Sequence, residues 1–150
     1  MQKKMLNVRK MVPADGESVA KLEAQIFSDA WSEKSILETL EQPQAFIVVA
    51  ERENVIVGYC IVYFVLDEAE IARVAVDSSQ RKQGVGQEIL KATCQICREK
   101  GIERLLLDVR ESNETARRFY QAFGFEVDGI RKNFYDDPKE HAVLMSMHVS

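Results

Sequence analysis

The stretch Arg81-Lys82-Gln83-Gly84-Val85-Gly86 constrains this chain more than any other feature. An apolar strand, Glu70 to Val76, leads into it, and an amphipathic helix, Gln87 to Lys100, leads out. A helix start offers unpaired backbone N–H groups and the positive end of the helix dipole. Glycines let the backbone approach a bulky anion, and Arg81 and Lys82 add charge, so the loop suits a pyrophosphate. Taken alone, it reads equally as a glycine-containing surface turn with two solvated cations. The spacing is not Gly-x-Gly-x-x-Gly, which excludes a dinucleotide fingerprint. No Gly-Lys-Ser/Thr follows, which excludes a P-loop.

The flanking pattern fixes the fold class. Val8 to Met11 reads as a first strand. Pro13-Ala14-Asp15 opens a helix with Val19, Leu22 and Ile26 on one face. Ser32 reads as the N-cap of a second helix, with Trp31 poised to staple onto Ile36, and Pro43 closes that segment. Ala45 to Ala50 and Val55 to Val65 form a hairpin across Glu51–Asn54. Asp67-Glu68-Ala69 turns into the Glu70–Val76 strand. On the Gln87–Lys100 helix, Ile89, Leu90, Thr93, Cys94 and Cys97 share the inner face, and Gly101 ends it. Leu105-Leu106-Leu107 reads as a strand buried on both faces. A helix from Glu114 to Phe123 and strands Phe125–Phe134 and His141–His148 complete the chain. The expectation is an α/β (α+β) mixed sheet of about seven strands with helices on both faces.

With 150 residues and no linker or repeat, the chain is expected to form one domain over 1–150. The net charge of −4 argues against a nucleic-acid or anionic-membrane binder and favours a cationic substrate. No apolar run reaches membrane-spanning length, and Met1–Asn7 lacks the apolar core of a signal peptide. Three cysteines, an odd count, fit a reducing cytoplasm better than a disulfide framework. Cys94-x-x-Cys97 falls mid-helix without a partner pair and reads as core. His141 and His148 have no metal-ligating company, so no metal is expected. Nothing in the sequence sets an oligomeric state.

Val74-Ala75-Val76-Asp77 ahead of the glycine loop, then Asp108-Val109-Arg110-Glu111-Ser112-Asn113, Ala116, Phe119-Tyr120 and Gly124-Phe125, resemble the GNAT superfamily of N-acetyltransferases in order and spacing. The segments Phe27–Lys34, Leu66–Ala69 and Arg131–Tyr135 are similar to its bacterial ribosomal-protein alanine N-acetyltransferase subfamily. The resemblance implies the GNAT acyl-CoA fold, acetyl-CoA as co-substrate and direct attack by an acceptor amine. It implies that Val74, Ala75 and Val76 pair through their backbone with the pantetheine arm. Arg81, Lys82, Gln83, Gly84, Val85, Gly86 and Gln87 would hold the pyrophosphate, and Asn113 would bond the cofactor arm. Tyr120 becomes the candidate general acid, where the residue alone would read as a packed core tyrosine. Two carboxylates compete as base. The subfamily carries a glutamate where this chain has the shorter Asp108, while Glu70 sits where other GNAT branches carry theirs. A backbone N–H near Val74 is implied as the oxyanion donor. Tyr135 and Glu33 fall in segments resembling acceptor loops, or are solvated surface residues.

Three functions remain open at this level. The acceptor is the N-terminal α-amine of a protein, such as one of the small ribosomal subunit, or a small amine such as a polyamine, amino acid or antibiotic. Alternatively the chain binds acyl-CoA without catalysis. An open groove between the Trp31 region and the Tyr135 hairpin favours a peptide.

Overall fold

Local chemistry starts and stops most elements where the pattern indicates. The computed structural model describes residues 5–149; Met1-Gln2-Lys3-Lys4, part of the segment read above for a signal peptide, and Ser150 lie outside the described residues. The strands are β1 (Leu6–Lys10), β2 (Ala45–Arg52), β3 (Val55–Val65), β4 (Glu68–Val76), β5 (Arg104–Arg110), β6 (Glu126–Asp136) and β7 (Lys139–His148). The helices are α1 (Gly16–Ile26), α2 (Glu33–Glu41), α3 (Val85–Glu99) and α4 (Glu114–Phe123). Ser32 caps α2 by accepting from the Ser35 N–H at 3.1 Å. Gly101, at φ 77, takes the left-handed turn that ends α3. Glu53 and Asn54, at φ 55 and 67, make the tight turn between β2 and β3.

Three local expectations shift. β4 begins at Glu68, not Glu70, because the Asp67 carbonyl accepts from Glu103 and Arg104 at 2.7 and 3.1 Å. That anchor lines Glu68 up with Arg104 and recruits the expected turn residues into the strand. α3 begins at Val85, not Gln87, because Gly84 at φ 81 already serves as its N-cap. Leu105 and Leu107 are buried but Leu106 only half so. The apolar run therefore alternates along β5 rather than being enclosed on both faces.

The sheet runs β1-β2-β3-β4-β5-β7-β6. The helices cover both faces. Val19, Leu22 and Ile36 of α1 and α2 pack with Ile47, Val49, Tyr59 and Ile61. Ile89, Leu90, Cys94 and Cys97 of α3 pack on the other face with Val48, Cys60, Leu105 and Leu107, and Phe119, Tyr120 and Phe123 of α4 join them. The three cysteines are buried free thiols within this core, and burial pushes Cys60 and Cys97 up to about 12.

β4 and β5 form the parallel pair, and they stay together only through Glu68↔Arg104, Ala69↔Leu105 and Glu70↔Leu106. Beyond that point β4 follows β3 and β5 follows β7, so the sheet parts into a wedge-shaped gap. A bulge accompanies the parting. The β3 partner steps from Arg73 to Ile71, leaving Ala72 as the extra residue on β4. Ala69 and Ile71 before the bulge, and Val74 and Val76 after it, pack towards α3. The bulge thus turns Arg73 and Ala75 towards α1.

Gly58 sets how closely α3 lies on the sheet. A Cβ there would stand 2.8 Å from Ile89 Cδ1 and 2.9 Å from the Ala75 carbonyl oxygen. The isoleucine can turn, but the backbone oxygen cannot. Gly58→Ala is expected to cost about 1–3 kcal/mol. Urea unfolding checks this: the midpoint should fall while the slope stays constant.

Candidate active site

The gap between β4 and β5 opens into a groove of about 1090 Å³. Its walls are the loop after α1, residues 26–29, and the β6–β7 hairpin, residues 134–138. Its floor carries Glu70 and residues 107–110, and α4 contributes Ala116 and Tyr120. Trp31 lies outside this groove and lines a second, shallower depression against α2 and Tyr63. Glu33 lines neither, whereas Tyr135 is in the wall.

At the head of the gap, the first bond within α3 runs from the Glu88 N–H to the Gly84 carbonyl, 3.1 Å. The amides of Val85, Gly86 and Gln87 therefore face outward with no acceptor in the helix. Gly84 and Lys82, at φ 81 and 65, curl the loop so that these amides converge. A Cβ at Gly84 would meet nothing within 4 Å, which leaves the space over the helix start open. At Gly86 it would come 3.0 Å from Phe119, so this glycine lets α3 approach α4. Arg52 braces the loop from behind, donating to Gln80 at 2.8 Å and Gln83 at 3.0 Å. Arg81 is exposed and its Nε reaches the Val76 carbonyl at 3.4 Å.

Strand alternation settles which β4 amides face the gap. The Asp77 N–H donates to Val57 of β3 at 2.8 Å. Counting back, Ala75 bonds towards β3, whereas Val74 and Val76 turn their N–H and C=O groups to the open side. Ala75 is buried, and its side chain packs towards α1. Asn113 caps α4, its side-chain oxygen accepting from the Ala116 N–H at 3.1 Å. Its amide NH2 remains available to the groove it lines.

Glu70 and Asp108 project from the same face. Glu70 is level with Leu106 and Asp108 is two residues further along β5. Burial raises the Glu70 carboxyl above its ordinary range, and the negative Asp108 adds to this; Arg131 opposes it. Burial likewise raises Asp108, again against Arg131. Tyr120 comes from the other face, packed edge-on between Phe119 and Phe125 at 5.3 and 5.5 Å. Burial pushes its phenol well above the ordinary value, so it holds its proton at neutral pH. Arg110 secures the hairpin wall, stacking at 4.3 Å on Tyr135 and donating to the Pro138 carbonyl at 2.9 Å. Its partner Glu140 accepts from Ser112 at 2.6 Å and so ties the hairpin to the start of α4. His141 is structural, accepting from the Asn133 N–H at 2.9 Å. Among the described residues no cluster of metal-ligating side chains occurs, and no helix is long and apolar enough to cross a membrane.

Sequence reasoning missed one buried cluster beside the groove: Glu23, Tyr59 and Arg73. A signal was present. Val19, Leu22, Glu23 and Ile26 stand at i, i+3, i+4 and i+7, so Glu23 falls inside the apolar stripe of α1.

A sheet parted beside a helix start with open amides, with carboxylates and a protonated phenol across the gap, fits a coenzyme A-dependent acyltransferase. More narrowly, the chain belongs to the acetyltransferase (GNAT) family, whose model matches residues 16–125. It is an acetyl-CoA-dependent N-acetyltransferase. A Bacillus subtilis (strain 168) protein, provisionally named a [ribosomal protein bS18]-alanine N-acetyltransferase, is 37% identical over 92% of each chain. The [ribosomal protein bS18]-alanine N-acetyltransferase of Haemophilus ducreyi is 30% identical over 95% of this chain and 99% of its own. The crystal structure of the ribosomal-protein-S18-alanine N-acetyltransferase from Escherichia coli superposes with a TM-score of 0.88 at 27% identity, covering 97% of this chain and 95% of that one.

Gly84→Val forces a branched side chain into a left-handed residue, at about 1–2 kcal/mol, and fills the space over the helix start. Calorimetry should find acetyl-CoA binding lost, while circular dichroism shows the fold retained. The raised carboxyls give a second prediction. The unfolded chain releases their protons near pH ~3.9 and ~4.3, before the folded chain does. Their ionisation therefore removes stability as pH rises through the raised range. Asp108→Asn and Glu70→Gln should each melt above wild type at pH 7. The gap should close towards pH 4, and a melting point equal to wild type at pH 7 would contradict the assignment.

Proposed function

We propose that this chain acetylates the free N-terminal α-amine of a protein, with an alanine-initiated ribosomal protein of the bS18 kind as acceptor. The observation that carries the reading is the acidic, open groove on the acceptor side. Asp29, Glu70, Asp108, Asp136 and Asp137 line it against Arg73 and Arg110. The names of the relatives point the same way. An α-amine has a pKa of ~7.7–8.0 against ~10.4 for lysine, so it asks less of a base.

The groove and the loop at the head of the gap divide the work. The amides of Val85, Gly86 and Gln87, with Arg81, Lys82, Gln83 and Gly84, fit a pyrophosphate. The open groups of Val74 and the Val76 N–H fit an extended amide-bearing arm, and the Asn113 NH2 can bond it. Acetyl-CoA supplies the thioester. Transfer forms a nitrogen–carbon bond and breaks the carbon–sulfur bond, with one proton leaving nitrogen and one arriving at sulfur. Glu70 and Asp108 are the groups available to take the first, directly or through a water, and Tyr120 is the group available to give the second. The Val74 N–H is aimed at the gap and can stabilise the developing oxyanion.

Intact mass spectrometry after incubation with acetyl-CoA tests the acceptor. A peptide with a free N-terminal alanine should gain one acetyl group; a blocked peptide containing lysine, and a polyamine, should gain none. Acetylation of the polyamine alone would overturn the reading. Tyr120→Phe should lower kcat by about a hundredfold or more, with the dissociation constant for acetyl-CoA unchanged. Unaltered turnover would remove Tyr120 from the chemistry.

A further inference from the structure

Glu23 is completely buried on α1, yet it faces an active-site wall it does not line. A buried carboxylate is tolerated only when its oxygens are fully engaged. Here the Tyr59 hydroxyl of β3 donates to one oxygen. The other accepts the Trp31 N–H at 2.9 Å and Arg73 Nε at 3.1 Å, with Arg73 Nη2 at 3.0 Å. Arg73 reaches onward: Nη2 also bonds the Asp29 carbonyl at 3.1 Å and the Asp29 carboxylate at 3.0 Å. Its guanidinium lies 4.0 Å over the Phe27 ring and 5.8 Å from the Trp31 ring.

The side-chain hydrogen bonds that hold Asp29 and Trp31, in the segment between α1 and α2, thus run through two side chains, beside the packing of Phe27 and Trp31 on the core. Phe27, Asp29 and Trp31 are held, though the segment has no helix or strand of its own. The bulge at Ala72 is what makes this possible. It turns Arg73 to the α1 face immediately before Val74, so the same stretch of β4 that opens its backbone to the gap also holds the opposite wall.

We propose that Glu23 and Arg73 are positioning residues for the acceptor: together they fix the Phe27–Trp31 loop as a rigid wall and so set acceptor affinity. Buried ion pairs are weak contributors to net stability but constrain geometry. The consequence is therefore expected in acceptor binding rather than in cofactor binding or chemistry. The inference rests on acetyl transfer at this groove and not on which amine is the acceptor.

Steady-state kinetics of Arg73→Lys tests it, with whichever acceptor the wild-type chain acetylates. Lysine keeps the charge opposite Glu23 but lacks the fork that joins Glu23 to Asp29. The acceptor KM should rise about tenfold to a hundredfold, the value of a lost charged hydrogen bond or two. The kcat should hold within about twofold, and calorimetry should find acetyl-CoA affinity unchanged. If Arg73→Lys does not fold, Asp29→Ala removes an exposed anchor and leaves the Glu23–Arg73 pair; its acceptor KM should rise about twofold to fivefold. An unchanged KM in the folded variant overturns the proposal. So does a joint loss of kcat, acetyl-CoA affinity and melting temperature, which marks a merely structural role. Wild-type acetylation of the polyamine alone would end the N-terminal reading and leave this test intact.

Discussion

Everything functional in this molecule depends on where one pair of strands stops bonding. β4 and β5 share backbone hydrogen bonds as far as Glu70↔Leu106 and then part. Buried backbone groups without partners are costly, so an internal sheet edge left open inside a domain calls for another occupant. Three features hold the gap apart. β4 is committed to β3 along its length, β5 is committed to β7 along its length, and the bulge at Ala72 bends β4 at the level of the parting. The result is an extended strand edge, at Val74 and Val76, that can accept one more strand-like partner. The pantetheine arm is a chain of amides and methylenes and suits that edge.

The net charge of −4 conceals a molecule polarised along this gap. At its head, helix-start amides, Arg81 and Lys82 favour phosphates. At the acceptor end, carboxylates outnumber cations, and both guanidiniums there are already paired: Arg73 with Glu23 and Asp29, Arg110 with Glu140. This distribution suits an anionic donor at the head of the gap and a cationic acceptor at the other end. The raised carboxyls and the proton-bearing Tyr120 line the groove between.

Much of the fold was legible because its signals are local. Ser32 caps, Gly101 terminates, Pro43 stops and the tight turns reverse the chain through the chemistry of a few neighbouring residues. The glycine loop at the start of α3 was legible for the same reason, since strand, glycine and helix are consecutive. The wall of the groove was not. Tyr59 and Arg73 lie 36 and 50 residues from Glu23 along the chain, and a glutamate on a helix ordinarily faces water. Only its place within the α1 stripe betrayed it. The bulge left no trace either, because Ala72 resembles any small strand residue. The half-exposure of Leu106 follows from which helices reach β5, a tertiary fact that an apolar run cannot report.

The same parting bears on proton transfer. A carboxylate on one strand edge has its reach fixed by its own length, and Asp108 is one methylene shorter than Glu70. Glu70 stands on the opposite edge, at the last point where the edges are still bonded, and its longer side chain projects from the same face. Each faces a gap whose width at that level is set by a shared register rather than by loops. A short acid on β5 is thereby offset by a longer one on β4. Burial, with the charge of Asp108 added, keeps the Glu70 proton affinity high, and Arg131 keeps it from rising further. On this geometry the reach of either carboxylate is set by the position of the parting as much as by its own length.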